Sequence, residues 1–221
     1  MESRRHSNLL GVMKGMAQGI TLAATGLVGC GDPCAASGPH LGTTACIAGV
    51  VTDYSAKLGN TIGAGLNSFG HIAALATGPV TATGAFSLTL AEKDVSADAL
   101  LPPPLPFIPI DPGQSCSAWP TPEPADLLLG WTELNLYAGP VDKSSGLPVV
   151  RTSPGDGIGV QLVYSKTDGR FVGKQICNVG SIDWNLDMRR GWNVLLFSGD
   201  DRALRVETGA VPAGATWHHR P

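Results

Sequence analysis

Hydrophobic and polar positions alternate along most of this chain. Between residues 84 and 90, Phe86, Leu88 and Leu90 are spaced by Ser87 and Thr89. Successive side chains of a strand point to opposite faces, so this spacing predicts a half-buried strand. The same period of two runs from Trp131 to Ala138 and from Gly159 to Tyr164. It recurs where Ile182, Trp184, Leu186 and Met188 interleave with Asp183, Asn185 and Asp187, which predicts Trp184 in a core. Shorter runs at Ile47–Thr52, Thr61–Leu66, Ile72–Ala76, Trp192–Phe197 and Ala203–Val206 predict further strands. Thr167-Asp168-Gly169-Arg170 predicts a hairpin leading into Phe171-Val172, and Asp200-Asp201 after Gly199 a solvated hairpin tip.

Proline breaks the pattern once, densely, from Pro102 to Pro124. Such a stretch resists helix and central strand and favours an extended backbone. With Leu105, Phe107, Ile108 and Ile110 interleaved, it reads as a stiff connector packed along a sheet rather than a ligand for a proline-recognising groove. The fold expected is all-β, with one small and one larger β-sandwich, separate or packed as a single unit. The divisions are a signal at 1–29, a tether at 30–43, a β module at 44–95, the connector at 96–124 and a second sandwich at 125–218.

Composition narrows the class. With 29 glycines and 17 prolines among 221 residues, a loop-rich β protein fits better than a helical bundle. Charged residues make up 15%, against about 25% in ordinary domains, which excludes a disordered polyelectrolyte. The net charge of −3 and the lack of a basic block give no nucleic-acid footprint.

The first thirty residues read as an export address. Arg4, Arg5 and Lys14 precede the apolar run Ile20–Val28, too short for the ~20 residues a membrane span needs. Met13 offers a second start besides Met1. Twin-arginine export through Arg4-Arg5 fits poorly, because Ser7 and Asn8 stand where that signal carries hydrophobic residues. Leu27-Val28-Gly29-Cys30 resembles the lipobox of bacterial lipoproteins. That resemblance implies a diacylglyceryl group on the Cys30 thiol, cleavage just before it, and a cell-envelope protein facing outside the cytoplasm. Gly31 after the cysteine leans the expectation towards the outer envelope. Without residues 1–29, which hold Arg4, Arg5, Lys14 and Glu2, the net charge moves from −3 to −5.

If Cys30 is acylated, Cys34, Cys46, Cys116 and Cys177 remain, an even number that suits two disulfides in an oxidising compartment. Of the three connectivities, Cys34–Cys46 with Cys116–Cys177 is favoured: a short loop at the head of the first module, and a tie from the Pro-rich segment to the following sheet. No pair has Cys-x-x-Cys spacing, which argues against zinc and thioredoxin-like chemistry.

Two further stretches carry resemblances. Ile47, Gly49 and Val51, with Gly84, Phe86 and Leu88, resemble the opening and closing strands of transthyretin-like or carboxypeptidase-regulatory-like β-sandwich modules. This implies a structural or adhesive module with no catalytic residues. Ile182–Leu186 followed by Gly191-Trp192-Asn193 is similar to the closing hairpin of secreted bacterial lipoproteins and implies no particular chemistry.

Trp131, Glu133, Asn135 and Tyr137 share one face of a predicted strand, opposite Leu134 and Leu136. Rings flanked by polar groups can form a carbohydrate platform, and equally an ordinary strand covered by the Pro-rich segment; the covered strand is favoured. His6, His40, His71, His218 and His219 show no ligand spacing, and Asp200-Asp201 falls short of the six to eight oxygens calcium takes, so no metal is expected. Pro154–Gly159 lacks the flanking strand and helix of a phosphate cradle, and no Gly-x-Ser-x-Gly occurs. The expectation is a lipid-anchored envelope protein with a structural or protein-interaction role, no catalytic activity and no cofactor. Its partners would be the membrane, through the N-terminal lipid, and envelope proteins or glycans, without nucleic acid. The alternative is a surface carbohydrate-binding protein using the Trp131/Tyr137 face.

Overall fold

The computed structural model describes residues 34, 38–68, 71–103, 116–138, 147–152, 157–178, 180–200 and 202–219. The signal at 1–29, Cys30, most of the tether, and Leu105, Phe107, Ile108 and Ile110 lie outside the described residues. The chain is all-β. In order come β1 (His40–Gly42), β2 (Thr44–Val50), β3 (Thr61–Ser68), β4 (His71–Pro79) and β5 (Ala85–Ala91). After the Pro-rich stretch follow β6 (Leu129–Tyr137), β7 (Leu147–Thr152), β8 (Gly159–Ser165) and β9 (Gly169–Cys177). The last four are β10 (Gly180–Met188), β11 (Gly191–Gly199), β12 (Ala203–Thr208) and β13 (Thr216–His219). Eleven strands form one mixed sheet in the order β4-β3-β6-β7-β8-β11-β12-β10-β9, with β1 added beside β11 and β13 beside β7. β2 and β5 form a separate two-stranded sheet.

Alternation gives the large sheet two buried faces. Along β8 and β11, Tyr164, Trp192 and Val194 face the small sheet and pack with Ile47, Phe86, Leu88 and Leu90. Their chain neighbours Val163 and Leu195 turn the other way, into a second core with Phe171, Trp184, Leu186, Met188 and Val206. Each member of that core is fully buried, and a large apolar side chain removed from water contributes roughly 1.5–3 kcal/mol. Trp184 therefore sits in a core, as its parity predicts. Among the described residues, the segment 116–128 covers this face. Trp119 lies 6.2 Å from Trp184 between ring centroids, and Leu127 is fully buried beside it.

That segment also shields the edge of β9. Ser117 N–H donates to the Ile176 carbonyl, and Glu123 and Arg170 exchange both backbone hydrogen bonds. Between those ties Pro120 rests against Gly173, and a proline placed along an edge offers no donor to a foreign strand. β3 pairs along its length with β6, Thr61 to Asn67 against Tyr137 to Trp131. The stretches 44–95 and 125–218, expected as two modules, thus share hydrogen bonds within the large sheet.

Two expected hairpins are corners instead. β8 and β9 flank Asp168-Gly169 but do not pair, because β11, β12 and β10 lie between them. Asp168 is occupied in holding the next corner: its Oδ1 accepts from Arg190 N at 2.7 Å, and its Oδ2 lies 3.4 Å from Arg189. Likewise β10 and β11, joined through Gly191-Trp192-Asn193, do not pair; β12 lies between them, parallel to β10. Gly191 has φ +99°, and a Cβ there would overlap the Gly42 carbonyl. Asn193 then closes the corner, donating to Arg189 O at 2.7 Å and Gly191 O at 2.9 Å while accepting from Arg189 N at 3.0 Å. The predicted Asp200 tip is a true hairpin: Asp200 Oδ1 accepts from Arg202 N and Ala203 N between the paired β11 and β12.

Candidate functional site

The disulfides follow the favoured pairing. Cys34 is bonded to Cys46 of β2, with Cα atoms 4.7 Å apart, and Cys116 to Cys177 at the end of β9, with Cα atoms 4.0 Å apart. Every cysteine among the described residues is paired.

The row on β6 is not an open platform. Register places Trp131, Glu133, Asn135 and Tyr137 on one face, opposite Asn67, Gly65, Gly63 and Thr61 of β3. Asn135 and Tyr137 are each 4% exposed, so neither offers a surface for a sugar ring to stack on. Glu133 Oε1 accepts from Asn67 Nδ2 at 2.5 Å. Trp131 stands edge-to-face with Phe197, 5.5 Å between centroids, at the margin of the second core.

Among the described residues, two pockets lie where the large sheet forks. The start of β6, Leu129–Trp131, pairs with Val163–Ser165 of β8. Its later part, Leu134–Leu136, pairs with Leu147–Val149 of β7, and the far end of β7 pairs with Gly159–Val160 of β8. β7 thus enters as a wedge, and Gln161 crosses the resulting gap to donate from Nε2 to the Thr132 carbonyl. A pocket of about 410 Å³ opens beside the fork, lined by Trp131, Phe197, Gln161, Thr152 and His218. A cavity of about 280 Å³ lies between β2 and the large sheet, with Ile47, Leu162 and Val194 on its walls and the Cys34–Cys46 bond beside it.

Arg151 also lines that cavity. β7 alternates so that Arg151 shares a face with Val149 of the first core, and its cross-strand partner is Trp217. The guanidinium carbon sits 5.2 Å from the Trp217 ring centroid. Arg151 forms no ion pair among the described residues, and its Nε is buried without an acceptor. Burial pulls its pKa below the ordinary arginine value. The charge of Glu92 beside the first core, by contrast, is matched. Glu92 accepts from Arg190 at 2.7 Å and from the Tyr164 hydroxyl at 2.9 Å, which hold its carboxyl below the usual carboxylate range.

Neither Arg151 nor Gln161 stands out in the sequence as a site residue. The signal was available in the parity of Val149 and Arg151, but Pro148 argues against a strand there, and β7 is tolerated because it is a short wedge beside the fork. Among the described residues no three His, Cys, Asp or Glu side chains gather as metal ligands, and no helix is long and apolar enough to cross a membrane. Comparison with family models, with curated proteins and with solved structures finds no match.

Proposed function

We propose that this chain is a lipid-anchored cell-envelope protein, held to a membrane through Cys30, that works by binding and by holding a shape. The observation that carries this reading is the cysteine arithmetic. Four of the five cysteines pair off as two disulfides, leaving Cys30, directly after an apolar run, as the odd one. Disulfides of this kind suit an exported chain, and two or more acyl chains give stable anchoring where one gives only reversible contact. Because Cys34 is bonded to β2, only four residue steps separate the anchor from the folded body. At about 3.3–3.6 Å per extended residue, an acylated Cys30 would hold Cys34 within roughly 15 Å of the bilayer.

Intact mass and detergent partitioning test this, using full-length protein made in a bacterium beside Cys30→Ser. Added acyl mass and detergent partitioning, both lost in Cys30→Ser, are expected. A soluble, unacylated wild type overturns the anchor.

A second reading, glycan binding, draws on the pocket lined by Trp131, Phe197 and Gln161. Binding to a cell-wall sugar lost in Trp131→Ala would support it, and silence across a broad glycan panel would remove it.

A further inference from the structure

We propose that the cavity between β2 and the large sheet is a binding site for a small amphipathic monocarboxylate, its head group on Arg151 and its aliphatic body against Ile47, Leu162 and Val194.

Charge is the first argument. Arginine stays protonated, and a guanidinium drawn partly out of water is costly unless an anion or strong acceptors meet it. Arg151 has neither among the described residues: no carboxylate lies within ion-pair distance, and its buried Nε lacks an acceptor. Among the described residues it is the one charged side chain on a wall otherwise built of aliphatic residues, Trp217, the disulfide and the 211–214 turn. A single planar guanidinium matches one carboxylate through two parallel hydrogen bonds. Among the described residues no second cation lines the cavity to balance a dianion.

Pre-organisation is the second. Trp217 is fixed by its Nε1 donating to Ala48 O at 3.3 Å and by an edge-to-face contact with Phe86 at 5.6 Å. The ring beneath Arg151 is therefore rigid, and the guanidinium rests on it before any ligand arrives. Size is the third. The cavity holds about 280 Å³. At roughly 30 Å³ per water-sized group, this is room for about nine such groups, the size of a medium-chain carboxylate. Exposed Ala213 and Gly214 form the rim through which such a molecule would enter. The site does not depend on lipidation of Cys30.

The test is calorimetry on the full chain carrying Cys30→Ser, which removes the need for detergent, with octanoate and octan-1-ol as probes. Octanoate is expected to bind at least about tenfold more tightly than the alcohol. Arg151→Met should abolish that preference, and Arg151→Lys should restore part of it. Should Arg151→Met fail to fold, Ala213→Trp on the rim is expected to weaken both probes while leaving the fold intact. No octanoate binding by folded protein, equal affinity for acid and alcohol, or octanoate binding untouched by Arg151→Met or by Ala213→Trp would each overturn the proposal.

Discussion

Gln161 Nε2 donates to the carbonyl oxygen of Thr132 across the gap that β7 opens between β6 and β8. A backbone acceptor that loses its ladder partner inside a sheet needs a substitute, and leaving it bare costs about 1–3 kcal/mol. Gln161→Leu is expected to lower stability by that amount, read from the urea midpoint. Gln161→Glu should be at least as destabilising at neutral pH, where its carboxylate can only accept, and should recover as the carboxyl protonates on acidification. An unchanged midpoint in both variants would mean that the gap tolerates a bare carbonyl.

Gly49 is the glycine of the Ile47-Gly49-Val51 pattern, and its environment explains the residue. A Cβ there would run into Cδ1 and Nε1 of Trp217. That ring is 6% exposed and held by Phe86 and the Ala48 carbonyl, so it has little room to yield. Gly49→Ala should therefore cost about 1–3 kcal/mol through overpacking, together with a changed near-ultraviolet tryptophan signal. A wild-type spectrum and midpoint would show that Trp217 repacks freely.

What the sequence made legible was facing, and what it hid was neighbourhood. A period of two says which side chains point inward: it predicts Trp184 in a core, and Trp184 is fully buried there with Leu186 and Met188 of the same face. It cannot say which strand lies alongside. The Asp168-Gly169 and Gly191-Trp192-Asn193 signals marked real reversals of the chain. Their polar groups close corners rather than two-strand turns, and β12 enters beside β10 from later in the sequence. The β6 row shows the same limit. Alternation put Asn135 and Tyr137 on one face but carried no information about cover, and both are buried. The parity of Val149 and Arg151 was obscured because Pro148 argues against the strand that holds them.

Tyr164 links stability to alkaline pH. Burial first, and then its hydrogen bond to Glu92, push its pKa up to about 12, from an ordinary value of 10. The unfolded chain thus loses this proton near pH 10 while the folded chain keeps it. The contribution is complete below pH 10 and is lost as pH rises through about 12. Tyr164→Phe removes that dependence, so wild-type and variant stabilities should converge over this window. Glu92 works at the other end. Its depressed pKa gives a contribution present above the ordinary carboxylate range and lost as pH falls through the folded value, so Glu92→Gln should flatten the acid limb. Parallel profiles for wild type and variants would show that neither group carries the dependence.

The two disulfides should differ in what they hold. Cys116–Cys177 spans 61 residues and Cys34–Cys46 spans 12. Constraint of the unfolded chain alone gives about 4 kcal/mol for the longer loop and about 3 kcal/mol for the shorter. Position separates them further. Cys116 lies next to Ser117, whose backbone and hydroxyl bond Ile176, and three residues before Trp119, which packs over Trp184. Opening this bond frees the start of the segment that covers the second core. Cys116→Ser/Cys177→Ser should therefore lower the urea midpoint more than the 34/46 double variant does. It should also raise hydrogen exchange along β9 and expose Trp119 to a fluorescence quencher. The 34/46 variant should leave β9 protected and loosen β2 instead. Equal midpoint losses, with exchange unchanged on β9, would mean that Trp119 and Leu127 hold the cover in place without the bond.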